Sequence, residues 1–455
     1  MFSQPLDLGI SDFGSQGRRR AVPTRPVMSK SDFDMDDDEE DPAGGTLKSI
    51  HELRHAGGNK RFQDESEALL EEIEIRDGHA SVSRRRNALL ELVTKLVEKE
   101  FARRFVDQSL DRRVLIGLES EHDVLTCCAL LSIFVTLASH GGVSPLVHHV
   151  SEHGIFVMAT SLLDENQSVV AIAKDRRSNM SKVAQKSVIE YSLTTQKSGI
   201  WTTEEPRSIT PRIIALCCLD VIVRHNREFG NPNNIISSSD ANKLVQLLAS
   251  SVADDVTPTV EVFDRDIELH FALSILESCT LKIDSNKDPL RAKLNVSGIH
   301  DYCVATSHRT RDGAFHDSRA LALRLLLNVT NNDPAACDTC GQSRTIHHLV
   351  QQVITGFESL TGYVEEEEEE AARLSSIDHL ILTLATLINF AECSDSARSH
   401  VLTSNNEGAN PLDTLLHLFV DGHVGAADVS LSSPFPSAPR SFNFPFISIS
   451  VTTLY

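Results

Sequence analysis

The sequence predicts an all-α chain: a HEAT/armadillo-like helical repeat array with a disordered N-terminal tail. Three observations predict it. From about Leu47 onward, apolar residues recur three and four apart in segment after segment, the spacing that gives a helix one buried stripe. No segment alternates apolar and polar residues at the two-residue period of a strand. Two segments also repeat each other, LRLLLNVTNNDPAAC (Leu323 to Cys337) and LATLINFAECSDSAR (Leu384 to Arg398). Each is an apolar helix that runs into an asparagine, Asn328 or Asn389, and then an aspartate, Asp333 or Asp395, with one residue of slip. Degenerate repeats of about 40 to 47 residues plus insertions stack helix pairs, because one pair alone cannot bury its apolar face.

The elements follow in order. Residues 1–45 read as a tail, with the basic patch GRRRAVPTRP followed by DFDMDDDEEDPAGG. Residues 46–429 read as the helical repeat domain. Its first helix is short and is expected to end at Gly57-Gly58, where glycine releases the helical conformation. In the next helix Leu89, Leu92, Val93, Leu96, Val97 and Phe101 share a stripe. VLTCCALLSIFVTLA (Val124 to Ala138) is the most apolar segment, and it is shorter than the roughly 20 residues of a membrane span. Residues 164–208 are polar, with weak periodicity, and read as a long insertion with room for one helix. ITPRIIALCCLDVIVRHN starts a helix with Pro211 in its first turn, where proline is tolerated. RDIELHFALSILESC and the two repeated segments continue the array, and DTLLHLFV ends it. Between them NREFGNPNNIISSSDAN is a loop. Glu365 to Glu370 form a solvated loop or helix start. Residues 430–455 are rich in Pro, Ser and Phe and have no helical period. Leu415, Leu416 and Phe419 are therefore expected to lack a capping repeat and to stay partly exposed.

Composition narrows the function classes. The 455 residues carry 43 Lys+Arg against 64 Asp+Glu, a net charge of −21. Such a surface repels phosphate backbones and disfavours direct nucleic-acid or anionic-membrane binding, while a basic protein surface suits it. Nine cysteines, with Cys127-Cys128 and Cys217-Cys218 adjacent in apolar helices, read as reduced thiols used as small hydrophobes. The opening residues have no basic n-region followed by an apolar h-region.

One stretch points to an enzyme. His51-Glu52-Leu53-Arg54-His55 fits H-E-x-x-H, in which two histidines four apart hold zinc and the glutamate acts as general base. Gly58 even extends the pattern, but Arg61 stands where the third ligand belongs, and arginine offers a metal no lone pair. Glu65, Glu67 and Glu71 are the remaining candidates for that ligand. No sheet precedes the motif, so catalytic zinc is not expected. Cys337-Asp338-Thr339-Cys340 is a single C-x-x-C followed by His347 and His348. Without a second pair it reads as a loop with two unpaired thiols.

The polar residues that close the repeats are the candidate partner surface: Asn328, Asn331, Asn332, Asp333, Asn389, Glu392 and Asp395. Polar groups at the same end of successive repeats form a row on a solenoid. Two structural readings compete. Asn331 or Asn332 can cap a helix C-terminus, and Asn328 and Asn389 can make inter-repeat hydrogen bonds.

SIHELRHAGGNKRFQDESEALLEEI, SRRRNALLELVTKLVEKEFARRFVDQ, LALRLLLNVTNNDP and IDHLILTLATLINFAECSDSARSHV together resemble the wings apart-like (Wapl) family in its fungal form, over about Leu47 to Val429. The resemblance implies a nuclear, non-enzymatic cohesin-release factor with no cofactor. Its partners would be the cohesin complex (SMC subunits, kleisin and stromalin) and a Pds-type HEAT-repeat regulator. Together they would open the exit gate between kleisin and an SMC subunit. HELRHAG would then be only the opening helix of the domain. Two departures stand out. The tail offers only Phe13-Gly14-Ser15 where vertebrate members carry Phe-Gly-Phe motifs, and the Pro/Phe-rich end replaces a further apolar helix. A general armadillo-type adaptor is the alternative reading.

Overall fold

The structure, a computed structural model, describes residues 50–75, 79–115, 118, 121–142, 154–202, 204–228, 236–253, 260–281, 293–307, 315–361, 368–403, 412–413 and 415–420. The tail 1–45 and the segment 430–455 lie outside the described residues. The chain divides into two compact units, Met1–Asn59 and Lys60–Tyr455. The described part of the first, residues 50–59, is helical.

No strand occurs among the described residues. The helices are α1 (Ile50–Glu74), α2 (His79–Leu96), α3 (Lys99–Asp107), α4 (Leu110–Val114), α5 (Val124–Leu137), α6 (Ile155–Ser161), α7 (Val169–Lys174), α8 (Lys182–Gln196), α9 (Pro211–Glu228) and α10 (Ser238–Ala253). They continue with α11 (Val260–Thr280), α12 (Val296–Ser307), α13 (Phe315–Thr330), α14 (Pro334–Cys340), α15 (Ser343–Thr361), α16 (Glu368–Cys393) and α17 (Asp395–Thr403).

An inner row of helices packs side by side in the order α2, α5, α9, α11, α13, α16. A second row, α10, α12 and α15, lies against α11, α13 and α16, and its members also touch one another. This is the two-layer stack of a helical repeat array. The inner position explains the composition. Every residue from Leu125 to Leu137 of α5 is buried, as is every residue from Ile213 to Asp220 of α9. A helix with neighbours on all sides needs apolar residues all round, not one stripe. Cys127, Cys128, Cys217 and Cys218 sit in that row, buried and unbridged.

Polar groups join the rows where they penetrate. Arg86 clamps Asp123 with bonds of 2.9 and 2.5 Å, and Asp123 in turn caps α5 by accepting from the Thr126 amide at 2.9 Å. Burial pushes the Asp123 carboxyl up, but the bonds from Arg86 and Thr126 outweigh it and hold the group below its ordinary value.

Four expectations need correction. The first helix runs from Ile50 to Glu74 without ending at Gly57-Gly58. Both glycines are exposed, and glycine inside a helix costs only about 1 kcal/mol. The apolar residues Phe62, Leu69, Leu70 and Ile73 farther along the helix are buried and stabilise it. Residues 164–208 are not an insertion outside the core. They form α7, a 3₁₀ turn (Arg176–Ser178) and α8, with caps from Ser168, Asp175 and Ser181. The buried face of α8 is Ala184, Val188, Tyr191, Ser192 and Thr195, a helical stripe that its two hydroxyl residues disguise. Tyr191 is fully buried, with its hydroxyl 2.7 Å from Ser132 Oγ and 3.3 Å from Cys128 Sγ of α5. Cys337 and Cys340 lie in a helix, α14, and both are buried. Finally, Ser376–Cys393 within α16 is long and apolar enough to cross a membrane by length and composition, at mean hydropathy 1.2 over 18 residues. In the fold it packs against α13 and α15.

At the far end of the array Leu415 packs against the core, whereas Leu416 and Phe419 are 53% and 59% exposed.

Candidate functional site

The site grows from the C-terminal turns of three inner helices. α11 ends Glu277-Ser278-Cys279-Thr280, and α13 ends Leu327-Asn328-Val329-Thr330. The Thr280 and Thr330 hydroxyls donate to the carbonyls four residues back, Leu276 and Leu326, each at 2.8 Å. That leaves each oxygen free to accept. The Asn328 amide donates to Thr280 Oγ1 at 3.2 Å and to the Glu277 carbonyl at 3.4 Å. One repeat on, the Asn389 amide donates to Thr330 Oγ1 at 3.1 Å and to the Leu327 carbonyl at 3.1 Å. Each asparagine therefore reads the same pair of acceptors on the helix before it. The Glu277 carbonyl already accepts from the Thr280 hydroxyl at 3.1 Å and the Leu327 carbonyl from the Asn331 amide at 3.0 Å, so the next repeat adds a further donor to each.

The caps of the following helices come next. Asp333 accepts from the Ala336 amide at 3.0 Å and starts α14. Ser394 accepts from the Ala397 amide at 3.0 Å and starts α17. Asp333 thus corresponds to Ser394 and not to Asp395, which removes the slip seen in the sequence. Asp395 lies one residue inside α17, where its carboxylate meets Arg398, and its side chain is 93% exposed. Asn332 takes a left-handed conformation, φ 54°, in the turn between α13 and α14, where asparagine is tolerated. Asn331 and Glu392 occupy equivalent places, three residues after the bridging asparagines, and both are exposed.

The seven candidate residues therefore gather at one end of two successive repeats but divide by task. Asn328 and Asn389 bridge helices, Asp333 caps one, and Asn332 forms a turn. Asn331, Glu392 and Asp395 present polar atoms to solvent. The sequence reading missed Thr280, Thr330 and Ser394. The shared offset of Thr280 and Thr330 from their helix ends was the available signal.

Among the described residues the remaining titratable groups are held by burial or by partners. Burial pushes the thiols of Cys127, Cys128, Cys303, Cys337 and Cys340 up to about 12, so they are protonated at neutral pH. Asp220 and Glu268 are also raised by burial, and each has a partner: Asp220 accepts from Ser274 at 2.6 Å, and Glu268 lies 3.5 Å from Arg212. Of the glutamates near the H-E-x-x-H stretch, Glu65 pairs with Lys95 and Glu67 is held by Arg113 at 2.8 and 3.0 Å. Among the described residues no three His, Cys, Asp or Glu gather as a metal site.

A family model described as "Wings apart-like protein regulation of heterochromatin" matches residues 46–397. The chain belongs to the wings apart-like family. The wings apart-like protein homolog 1 of Schizosaccharomyces pombe is 24% identical over 450 residues, spanning 94% of this chain and 69% of that protein. A crystal structure of an engineered protein aligns over 81% of this chain and 95% of its own, at 13% identity and a TM-score of 0.29. Membership in the wings apart-like family makes the chain a regulatory protein with a general role in cohesin regulation.

Proposed function

We propose that this wings apart-like chain is a non-enzymatic cohesin-release factor that acts in the nucleus. It binds cohesin subunits and a HEAT-repeat regulator of the Pds type, and it helps open the gate between kleisin and an SMC subunit. The observation that carries this reading is the family match across 46–397, which spans the helical stack. The stack itself fits the task. Its net charge of −21 suits basic protein partners, and its repeat ends expose Asn331, Glu392 and Asp395.

The experiment is binding of the purified chain to purified cohesin with and without the regulator, at two salt concentrations. Glu392→Lys together with Asp395→Lys is the informative variant, because neither residue caps a helix. Binding lost or weakened at least several-fold, with an unchanged melting curve, supports the interface. Unchanged binding rejects these residues as contacts, and no binding by the parent chain rejects the function.

A further inference from the structure

Between α12, α13, α15 and α16 lies a small, partly open cleft with room for about one small polar group. Its walls are mainly apolar, formed by Ala322, Leu323, Leu326 and Leu349, and its polar atoms come from few residues. Arg319 is the cation among them. It is only partly exposed, and no hydrogen bond or ion pair holds its guanidinium among the described residues. Burial alone pulls its pKa below the ordinary arginine value, with no carboxylate opposing it. Gln352 is the second polar group, and its buried Oε1 has no partner while its Nε2 lies 2.8 Å from His348 Nε2. Rotating that amide by half a turn gives His348 an acceptor and aims an N–H₂ donor into the cleft.

The nearby acids do not answer Arg319. Asp301 of α12 sits 3.2 Å from His300 Nδ1, and Asp378 of α16 is exposed. An unanswered, half-buried arginine is costly, and an arriving anion offsets that cost.

The geometry points to a docking pocket for one carboxylate side chain of an acidic segment on a partner protein, gripped by Arg319 and the Gln352 amide. The planar fork of arginine matches a carboxylate in two parallel hydrogen bonds. The small enclosed space admits a carboxylate tip and excludes a nucleotide. The apolar wall would take the methylenes of the same side chain. This pocket deepens the proposed function only in supplying a second, oppositely charged contact to a protein partner.

The test uses the full chain, uniformly labelled with ¹⁵N, and follows the Arg319 side-chain resonance together with the backbone amides of Cys303 and Leu349, which line the cleft. The probe is an acetyl-Gly-Glu-Gly amide peptide, with its Gln analogue, sodium chloride and inorganic phosphate as controls at matched ionic strength. The expected result is a saturable shift with the Glu peptide alone, with a dissociation constant on the order of 1 mM. It is lost in Arg319→Gln and weakened in Gln352→Leu. If Arg319→Gln melts lower than the parent, Arg319→Lys, which keeps the charge but lacks the planar fork, is read in its place and should weaken the shift of the Cys303 and Leu349 amides; an undiminished shift overturns the grip by Arg319. No saturable shift, or an equal shift with the Gln peptide or chloride, overturns the pocket. A stronger response to phosphate overturns the carboxylate assignment. Because no cohesin enters the titration, its failure is separate from failure of the proposed function.

Discussion

The ends of α13 and α16 are two solutions to one problem. Both helices bridge to the helix before them through an asparagine, Asn328 or Asn389, and both hand the chain to a short capped helix. They differ in how they stop. α13 ends at Thr330, turns through left-handed Asn332, and restarts at Pro334 under an Asp333 cap. α16 runs to Cys393 and restarts at Asp395 under a Ser394 cap. The bridge is kept while the turn varies. The bridge must reach a carbonyl and a threonine hydroxyl on another helix at once, whereas a cap needs only an oxygen at the right place.

The largest way to probe this comparison is the residue after each asparagine. Val329 and Phe390 are both buried and hold equivalent places. Phe390→Ala should cost about 4 kcal/mol and Val329→Ala about 2 kcal/mol, read by urea unfolding. Equal losses would mean that the two ends do not share one packing geometry.

Gly341 comes next, where α14 ends against α17. A Cβ there would lie 2.6 Å from the Cys337 carbonyl and 2.8 Å from Ala397 Cβ. Backbone on one side and a packed helix on the other leave no room to yield. Gly341→Ala should destabilise by about 2 kcal/mol, while Gly58→Ala, with nothing within 4 Å, should not destabilise at all.

The bridges themselves rank third. Asn328→Ala and Asn389→Ala should each cost about 1–2 kcal/mol, because two hydrogen bonds between neighbouring helices are lost. If Asn389→Ala alone is silent, the second bridge is not structural and the residue is free for a partner.

The caps give smaller effects. Asp333→Ala and Ser394→Ala should each lose about 1 kcal/mol in thermal melts. Asp395→Ala should stay within about 0.5 kcal/mol, as exposed ion pairs do. The reverse order would restore the pairing of Asp333 with Asp395 that the sequence suggests.

Those pairs mark where reading the sequence succeeded. The all-α class, the repeat and the special standing of Asn328 and Asn389 were legible, because helical periodicity and a recurring Leu/Ile-Asn step are local patterns. The equivalence of Asp333 with Ser394 was not, because Ser and Asp look different in a sequence but act alike as cap oxygens. The α8 stripe escaped because Ser192 and Thr195 fill core positions with hydroxyls. The length of α1 escaped because a glycine pair is a strong local stop signal, and packing farther along the helix overrode it.

By itself, the sequence determined that this chain builds helices, stacks them, carries a strong negative charge and keeps its thiols among apolar residues. All of these follow from composition and from periods of a few residues, which each segment carries alone. Only the tertiary structure decided which polar residues serve the fold and which face outward. Asn328, Asn389 and Asp333 are spent on backbone groups, two of them on a neighbouring helix, while Glu392 and Asp395 face solvent. It also decided that Arg319 stands in a cleft without a counter-ion. A side chain's partner can lie fifty residues away, as Thr280 does from Asn328, so its task is fixed by the stacking of helices and not by its neighbours in the chain.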